Sequence, residues 1–423
     1  MADSGADILK LAREEAWASP LEDIDVSFQE RFRDFTFWPF FERLRKEAPV
    51  HFCKESEFGP YWSIVKFDDI VTVETNHQVF SSEGGITIQD EREDFQLPMF
   101  IAMDPPKHDV QRKTVSPIVS PHSLMELEPL IRERAGKILD ELPRDEEFNW
   151  VDRVSIELTT QMLATLFDFP WEERRKLTWW SDVAVHGVES GLVATEEEGQ
   201  AELLKCAEYF TNLWQERIKA PPKHDLISMM AHSPSMRDMG PMEFLGNLIL
   251  LIVGGNDTTR NSISGGLLAM NENPDQFAKL KADPALIPSM VSETIRWQTP
   301  LAHMRRRALE DFEVHGVTIP AGAKVVMWYV SGNRDEDVIP NADAYVIDRE
   351  RPRHHVSFGF GIHRCVGNRL AEMQLRIVWE ELLKRWDRID VVGPPKRVMS
   401  CFIKGYEALP VVIPKSAKPV VMA

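Results

Sequence analysis

The sequence is poor in cysteine, with only four in 423 residues. Cys53, Cys206, Cys365 and Cys401 are far apart and form no CxxC pair, which disfavours a thiolate zinc site and a disulfide framework. Positive charge is also scarce, because 49 lysines and arginines against 67 acids give a net charge of −18. Phosphate binding needs basic patches, so the composition argues against nucleic acid as a partner.

Long apolar runs, linkers and internal repeats are missing too. The first twenty residues carry charges of both signs and no long apolar stretch, which predicts neither a signal peptide nor a membrane anchor. We therefore expect a cytoplasmic protein in which residues 1–20 are poorly ordered. Length alone allows two or three domains. Without a linker, a low-complexity tract or a repeat, we expect one domain over residues 1–423.

A GxGxxG motif and a parallel βαβ series are absent, which argues against a dinucleotide-binding fold. Helical patterns instead fill most of residues 68–310, and the strongest covers 241–271. Its segment FLGNLILLIV is apolar almost all round, which is typical of a buried helix. An amphipathic helix is predicted over 30–48, and short strands over 50–53, 61–66 and 313–330. The fold class is therefore mainly α with small β-sheets.

Residues 358–367 read Phe-Gly-Phe-Gly-Ile-His-Arg-Cys-Val-Gly. Gly359, Gly361 and Gly367 let the backbone turn tightly and come close to a flat partner. A cysteine thiolate held in this way is a strong ligand for haem iron. The alternative is an ordinary loop that contains a buried thiol.

The central helix contains a second unusual segment, Gly-Gly-Asn-Asp-Thr, at residues 254–258. Two adjacent glycines inside a helix each cost about 1 kcal/mol relative to alanine. They admit something flat against the backbone or let the helix bulge. Asp257 follows an apolar run, where a carboxylate needs a partner. The alternative is a glycine pair that serves helix packing beside a solvated aspartate.

A third motif is Glu293-Thr-Ile-Arg296, whose charged residues are three apart and share a helix face. Alone, such a pair usually lies on the surface. Together, the spacing F-G-x-G-x-H-R-C-x-G, the Gly-Gly-Asn-Asp-Thr segment and E-x-x-R resemble the cytochrome P-450 superfamily. The resemblance implies a cytochrome P-450 fold in which haem b lies between the long central helix and the cysteine loop.

The resemblance also implies roles for individual residues. Cys365 would be the axial thiolate ligand of the haem iron, and O2 the co-substrate. Gly255 would lie at the small-residue kink that makes room for dioxygen. Thr258 would hydrogen-bond the bound oxygen, and Asp257 would relay protons from solvent.

Further residues would support the haem itself. Glu293, Arg296 and Arg349 would form a buried structural triad, and Phe358 would pack near the sulfur. The haem carboxylates would need cationic or imidazole donors, and four residues fit by motif: His108, Arg112, Arg306 and His363. Arg305 and Arg307 leave open which arginine serves.

Segments at 100–112, 250–262, 295–306 and 326–335 resemble the bacterial alkane and fatty-acid terminal-hydroxylase branch of the superfamily. That resemblance covers about residues 20–412 and implies oxidation of the end methyl of medium-chain alkanes, fatty acids or related chains. The residues expected to form the substrate pocket, by family position, are Ile86, Ile88, Leu251, Val253, Leu301, Met304 and Phe402. Alternatives are a P-450 for steroids or terpenes and a non-catalytic haem-thiolate sensor.

Electrons would come from a separate protein. Only 58 residues follow Cys365, and they contain no nucleotide-binding motif, so we expect no fused reductase. The resemblance implies a small [2Fe–2S] ferredoxin and an NAD(P)H-dependent ferredoxin reductase. Lys113, Arg364 and Arg369 would give a local basic patch that suits an acidic ferredoxin.

Overall fold

Helices dominate the structure, a computed structural model that describes residues 2–188 and 190–420. Within those residues there are fifteen α-helices, joined by short 3₁₀ and π turns: α1 Ala2–Ala18, α2 Gln29–Arg33, α3 Trp38–Glu47, α4 Phe67–Thr75, α5 Lys107–Val115, α6 Pro121–Asp140, α7 Glu157–Leu166, α8 Arg175–His186, α9 Glu196–Lys219, α10 Leu226–His232, α11 Pro241–Glu272, α12 Pro274–Ala282, α13 Ile287–Gln298, α14 Tyr329–Gly332 and α15 Asn368–Leu383.

The strands in the same residues are short: β1 Val50–Cys53, β2 Tyr61–Ile64, β3 Phe80–Ser81, β4 Glu147–Asn149, β5 Met304–Ala308, β6 Phe312–Val314, β7 Val317–Ile319, β8 Lys324–Met327, β9 Asp390–Val391, β10 Lys396–Arg397, β11 Tyr406–Ala408 and β12 Pro410–Val412. The largest sheet has the order β1-β2-β8-β5-β3, and only its β2–β8 pair is parallel. The other sheets are β4-β12-β9, β10-β11 and β6-β7. The fold class that the sequence predicts, mainly α with small β-sheets, is confirmed.

The long helix α11 runs through the largest hydrophobic cluster. It begins at Pro241, and proline suits a first helical position because its missing N–H has no partner there. Phe244, Leu245, Leu248 and Ile252 are all buried, as the apolar sequence of this segment predicts. α11 packs against α7, α8, α13 and α15, so it can present residues to a site at the centre of the protein.

Two local predictions near the N-terminus are wrong. Residues 1–20 were expected to lack order, but α1 covers Ala2–Ala18 and packs against α3. Ala16 is fully buried there, and Arg43 donates a hydrogen bond to its carbonyl oxygen. The predicted helix over 30–48 is two helices, α2 and α3, because Phe35 has a left-handed backbone and Pro39 starts a new first turn.

Candidate functional site

The cysteine loop is formed by glycine conformations and by a close backbone approach. Gly359 and Gly361 have φ angles of 64° and 65°, a region that favours glycine. A Cβ on Gly361 would lie 2.3 Å from the carbonyl oxygen of Glu74, so α4 presses directly on the loop. The Cys365 N–H donates to the carbonyl oxygen of Phe358 at 2.8 Å and closes the loop. α15 starts three residues later.

Cys365 presents its side chain to a cavity of about 500 Å³. Its exposure is to this cavity, and the surrounding protein raises the pKa of the thiol by burial. The backbone N–H groups of Gly367 and Asn368 and the guanidinium groups of Arg112 and Arg364 act in the opposite direction. The loop thus supplies donors and positive charge to a thiolate that faces an open space.

The middle of α11 forms the opposite wall of the cavity. Gly254, Gly255 and Thr258 all line it. A Cβ on Gly254 would meet no atom within 4 Å, whereas a Cβ on Gly255 would lie 2.7 Å from Leu163 Cδ2. The missing side chain of Gly254 therefore leaves open space on the cavity side of α11, and the missing side chain of Gly255 lets Leu163 of α7 pack closely against α11. The Thr258 hydroxyl donates to the carbonyl oxygen of Gly254 at 2.9 Å, an i−4 bond of the kind that bends helices.

Asp257 is fully buried and does not line the cavity. Its carboxylate points at α8, where the Ser181 hydroxyl donates to Oδ2 at 2.5 Å. Arg260 forms ion pairs at 2.5 Å with Asp257 and at 2.6 Å with Asp182. Burial raises the pKa of Asp182, and the nearby Asp257 carboxylate adds to this, while Arg260 opposes it. Ser181 and Asp182 have no signal in the sequence, because their contacts join distant segments. Arg260 was missed although it lies three residues after Asp257, a helical spacing that favours an ion pair.

Two histidines carry ring nitrogens that lack partners. His108 and His363 are both buried, and their rings lie 4.3 Å apart between centroids. His108 Nε2 and His363 Nδ1 have no hydrogen-bond partner. Burial first, and then the charge of Arg306, lowers the pKa of His363 to about 2. His363 lines the cavity, and His108 is not in the wall but packs against the His363 ring. Orphaned nitrogens of this kind fit the carboxylates of a haem.

Two arginines lie at the same edge. Arg112 lines the cavity and donates a hydrogen bond to the carbonyl oxygen of Arg364. Of the three consecutive arginines at 305–307, Arg306 alone is in the cavity wall. The structure therefore distinguishes it from Arg305, which pairs with Asp90 at 2.6 Å, and from the exposed Arg307.

Glu74 is a buried residue of this edge that the sequence analysis missed. Its carboxylate pairs with Arg306 at 3.3 Å and accepts a hydrogen bond from the Tyr329 hydroxyl. The Phe360 N–H also donates to it, at 3.4 Å. Glu74 thus joins α4, β5 and the cysteine loop. Its surroundings in the sequence are those of an ordinary helix, so no local pattern indicates the role.

The predicted charged triad lies behind the cysteine loop. Glu293 and Arg296 form a two-pronged pair with both contacts at 2.8 Å, and Arg349 adds a third at 2.8 Å. Glu293 and Arg296 are almost completely buried. The Arg296 guanidinium also donates to the carbonyl oxygen of Asn333. Asn333 in turn contacts Ser357 at 2.8 Å, which carries the support into the loop.

Most of the predicted substrate residues meet in one cavity. Those in its wall are Ile86, Leu251, Val253, Leu301, Met304 and Phe402, together with Phe358 of the cysteine loop. Ile88 does not line the cavity, contrary to the prediction. Its side chain belongs to a separate hydrophobic cluster with Trp328 and Phe41, and its N–H donates to His303. Residues 86–89 form bends instead of a strand, so the side chains of Ile86 and Ile88 do not share one wall.

The cavity extends from Cys365 past α11 to α8 and α9, where Val183, Ala184 and Leu203 line it. Its inner walls are mainly apolar, so an aliphatic chain would bury its surface there. Among the described helices, none is long and apolar enough to cross a membrane.

Comparisons with known proteins agree with this geometry. The family model described as Cytochrome P450 matches residues 205–398. Linalool 8-monooxygenase of Pseudomonas putida is 37% identical over 391 residues, covering 88% of this chain and 94% of that protein. Methyl-branched lipid omega-hydroxylase of Mycobacterium tuberculosis is 30% identical over 415 residues, covering 93% of this chain and 95% of that protein.

Among solved structures, CYP153D17 from Sphingomonas sp. PAMC 26605 superposes with a TM-score of 0.86. It is 51% identical in sequence, and the match covers 92% of this chain and 98% of that chain. The similarity extends over nearly the whole chain, and so over the segments that hold the cysteine loop, the central helix and the charged triad. The chain therefore belongs to the cytochrome P450 family, whose members bind haem through a cysteine thiolate and use O2.

Proposed function

We propose that this monooxygenase hydroxylates the terminal methyl group of medium-chain alkanes, fatty acids or related aliphatic chains, with two electrons supplied by a ferredoxin. The observation that carries the proposal is the lining of the cavity. Cys365 and Thr258 line it together with apolar residues of α8 and α9 such as Val183 and Leu203. A chain that enters between these helices points one end at the cysteine loop.

The proposed cofactor site uses the cavity edge described above. Cys365 is the thiolate ligand, and the unpartnered nitrogens of His108 and His363 bind the haem carboxylates together with Arg112 and Arg306. When bound, haem supplies the oxygen activation that attack on a C–H bond requires. Glu293, Arg296 and Arg349 hold the loop and take no part in the chemistry.

Two residues of α11 handle protons in this proposal. Thr258 lies in the cavity wall, and its hydroxyl donates to the carbonyl oxygen of Gly254, which lines the same wall. Asp257 receives protons from the side of α8, where Asp182 is partly exposed. Its carboxylate can turn towards Thr258 only after it leaves Ser181 and Arg260. An acid and an alcohol that exchange a proton are a suitable relay.

Terminal selectivity is a problem of position, because primary C–H bonds are stronger than secondary ones. A site can favour the primary C–H bonds by holding the methyl end next to the reactive centre and covering the neighbouring carbons. We assign this task to Leu251, Val253, Leu301, Met304 and Phe402, which line the cavity near the cysteine loop. The names of two relatives support attack at the end of a chain. One is an omega-hydroxylase of methyl-branched lipids, and the other is a linalool 8-monooxygenase.

Electron delivery is assigned to a [2Fe–2S] ferredoxin with an NAD(P)H-dependent reductase. Lys113, Arg364 and Arg369 are exposed, and Arg364 and Arg369 flank Cys365 in sequence. A positive patch near the thiolate side of a protein with net charge −18 is a place where an acidic partner can dock.

Product analysis tests the proposal. The haem-loaded protein is combined with ferredoxin, reductase and NADH and supplied with a series of medium-chain alkanes and fatty acids. Primary alcohols as the main products support terminal hydroxylation. Mainly subterminal alcohols would contradict it, and no product from any chain would favour a sensor.

A second candidate is oxidation of terpenes or steroids, which the similarity to linalool 8-monooxygenase favours. The two candidates are separated by optical titration, because substrate binding shifts the spin state of the haem iron. A larger shift and a lower Kd with dodecane than with a monoterpene alcohol or a sterol support the aliphatic assignment. The reverse order supports the second candidate.

A further inference from the structure

The outer end of the cavity is formed by polar residues, in contrast to its apolar interior. We call this region the mouth and define it by Gln89, Asp90, Glu91 and Arg92 of the loop after β3, and by Glu196 and Gln200 of α9, all of which line the cavity. Three of these six residues are acidic and one is basic. A substrate chain that points its methyl end inward has its other end here.

Arg92 is the single cation of the mouth, and acids already occupy its guanidinium. Nε contacts Asp94 Oδ1 at 3.0 Å and Nη2 contacts Asp94 Oδ2 at 2.8 Å, which is a two-pronged pair. Nη1 lies 3.6 Å from Glu197 Oε1 on α9. Arg92 therefore connects the loop to α9, and acids face both edges of its planar fork, so a ligand carboxylate would have to compete with them.

The other cations near the mouth are also engaged. Asp90 is neutralised by Arg305 at 2.6 Å and by Lys324 at 2.9 Å. By contrast, Glu91 and Glu196 form no ion pair with any residue that the structure describes. Burial raises the pKa of Glu91, and the charge of Arg305 opposes this. The mouth and the side chains paired with it hold five acids, Asp90, Glu91, Asp94, Glu196 and Glu197, against the three cations Arg92, Arg305 and Lys324. A ligand carboxylate would thus meet an excess of negative charge.

Deeper in the cavity the situation is the same. Arg112 and Arg306 are the remaining cations of the cavity wall within the described residues. Arg112 binds the carbonyl oxygen of Arg364, and Arg306 pairs with Glu74. Both lie at the edge assigned to the haem carboxylates.

We propose that the mouth selects chains whose outer end is uncharged, such as alkanes and primary alcohols, over fatty-acid anions. Asp94 and Glu197 are the specificity-determining residues, because they keep Arg92 from binding a carboxylate. The inference rests on the proposed function and narrows its substrate class. The excess of negative charge at the mouth repels a ligand carboxylate. The free energy gained by burying the apolar chain is the same for charged and uncharged substrates.

The test is an optical spin-shift titration of the full-length, haem-loaded protein with dodecane, 1-dodecanol and dodecanoate at neutral pH. We expect the Kd for dodecanoate to exceed that for 1-dodecanol by about tenfold or more. Raising the ionic strength should reduce this ratio, since exposed charges are screened within about 10 Å at 0.1 M salt. Equal Kd values for the two ligands would overturn the inference.

A pair of neighbouring variants isolates the role of Arg92. Asp94→Asn removes the two-pronged partner of Arg92 and should lower the Kd ratio of dodecanoate to 1-dodecanol by about tenfold. Glu93→Gln removes one negative charge from the adjacent exposed position, outside the cavity wall, and should change the ratio by less than about twofold. The same change in both variants would overturn the role given to Asp94.

Failure of the proposed function gives a different result. If 1-dodecanol and dodecane bind and are oxidised at the methyl end while dodecanoate binds equally well, only the charge selection is overturned. If none of the three ligands shifts the spectrum and no product forms, the proposed function fails, and the charge selection fails with it.

Discussion

The hydroxyl group of Ser181 donates a hydrogen bond of 2.5 Å to Asp257 Oδ2, which ties α8 to the middle of α11. Arg260 pairs with the other carboxylate oxygen at 2.5 Å. The acid of the proposed relay is thus held away from the cavity, on the side that leads through Asp182 towards solvent. Proton delivery and the position of α8 are therefore linked by a single side chain.

Replacement of Asp257 by asparagine should slow turnover by about 100-fold, because the amide keeps the size of the side chain but cannot carry a proton. Substrate binding should be little changed, since Asp257 does not line the cavity. Turnover rate and spin-shift Kd are measured together. Asp238→Asn is a suitable control, because Asp238 is highly exposed and its single ion pair within residues 2–188 and 190–420 is with Arg237. A turnover rate equal to that of the control would refute the relay.

Replacement of Cys365 by alanine should abolish the carbon-monoxide difference band that is characteristic of a haem-thiolate protein, because it removes the proposed sulfur ligand. Cys53→Ser provides the control. Cys53 is buried in β1, far from Cys365 in the sequence. Its Sγ donates to the carbonyl oxygen of Glu55 at 3.3 Å, a contact that a serine hydroxyl can keep. Persistence of the band in Cys365→Ala would exclude this residue as the ligand.

Glu293→Ala should destabilise the protein by about 3–5 kcal/mol, because it leaves two arginines without their shared carboxylate behind the loop. Denaturant unfolding of the haem-loaded protein measures the change. The matched control is Glu133→Gln, which breaks the exposed pair between Glu133 and Lys137 and should have little effect. If both variants unfold at the same denaturant concentration as the unaltered protein, the triad is not a support.

The adjacent glycines of α11 should respond differently to alanine. Gly255→Ala should cost about 1–3 kcal/mol, since the new Cβ would lie 2.7 Å from Leu163. Gly254→Ala should stabilise the helix by up to about 1 kcal/mol, while its methyl group enters the open space beside Thr258. Unfolding and spin-shift titrations of both variants test this contrast, and equal unfolding free energies would contradict it.

Acid should destabilise the protein through His303. Its Nε2 accepts the Ile88 N–H at 3.0 Å and its Nδ1 donates to the Cys401 carbonyl oxygen at 2.9 Å, so the ring is held neutral. Burial lowers the pKa of His303 to about 4, from 6.5 in the unfolded chain, and the Arg305 charge adds to this. The unfolded chain therefore binds a proton first as pH falls.

The free energy of unfolding is unaffected by this group above about pH 6.5 and should fall by up to about 3 kcal/mol as pH drops towards 4. A comparison of denaturant midpoints across this range for the unaltered protein and His303→Gln measures the contribution. The variant should show a shallower pH dependence, and an identical slope would show that His303 does not contribute.

Short motifs allowed the sequence to predict the centre of the site but not the contacts around it. The cysteine loop and the pair Glu293–Arg296 are visible because their residues are close in sequence and their spacing is unusual. The long apolar segment likewise predicted α11 closely. Ser181 and Glu74 act across 76 and 286 residues, on Asp257 and Phe360. Nothing in their own neighbourhoods marks them, since such contacts depend on how helices pack.

The wrong predictions have local causes of a similar kind. Ile88 was assigned to the wall by its position in the family, but the chain bends at residues 86–89 and Ile88 packs beside Trp328 in a separate cluster. The order of the N-terminal helix depends on alanines that fit against α3, which a mixed-charge sequence does not reveal. Pro39 divided the expected helix over 30–48, because proline favours the first turn of a new helix.

The close approach between Gly361 and Glu74 has a consequence for engineering. The wall against which the cysteine loop folds is backbone from α4, a segment almost 300 residues earlier in the chain. A loop transplanted from a relative would therefore meet a foreign surface unless α4 came with it. Libraries that vary residues 67–75 should consequently shift the absorption spectrum of the cofactor, even though none of those residues belongs to the loop that holds the sulfur.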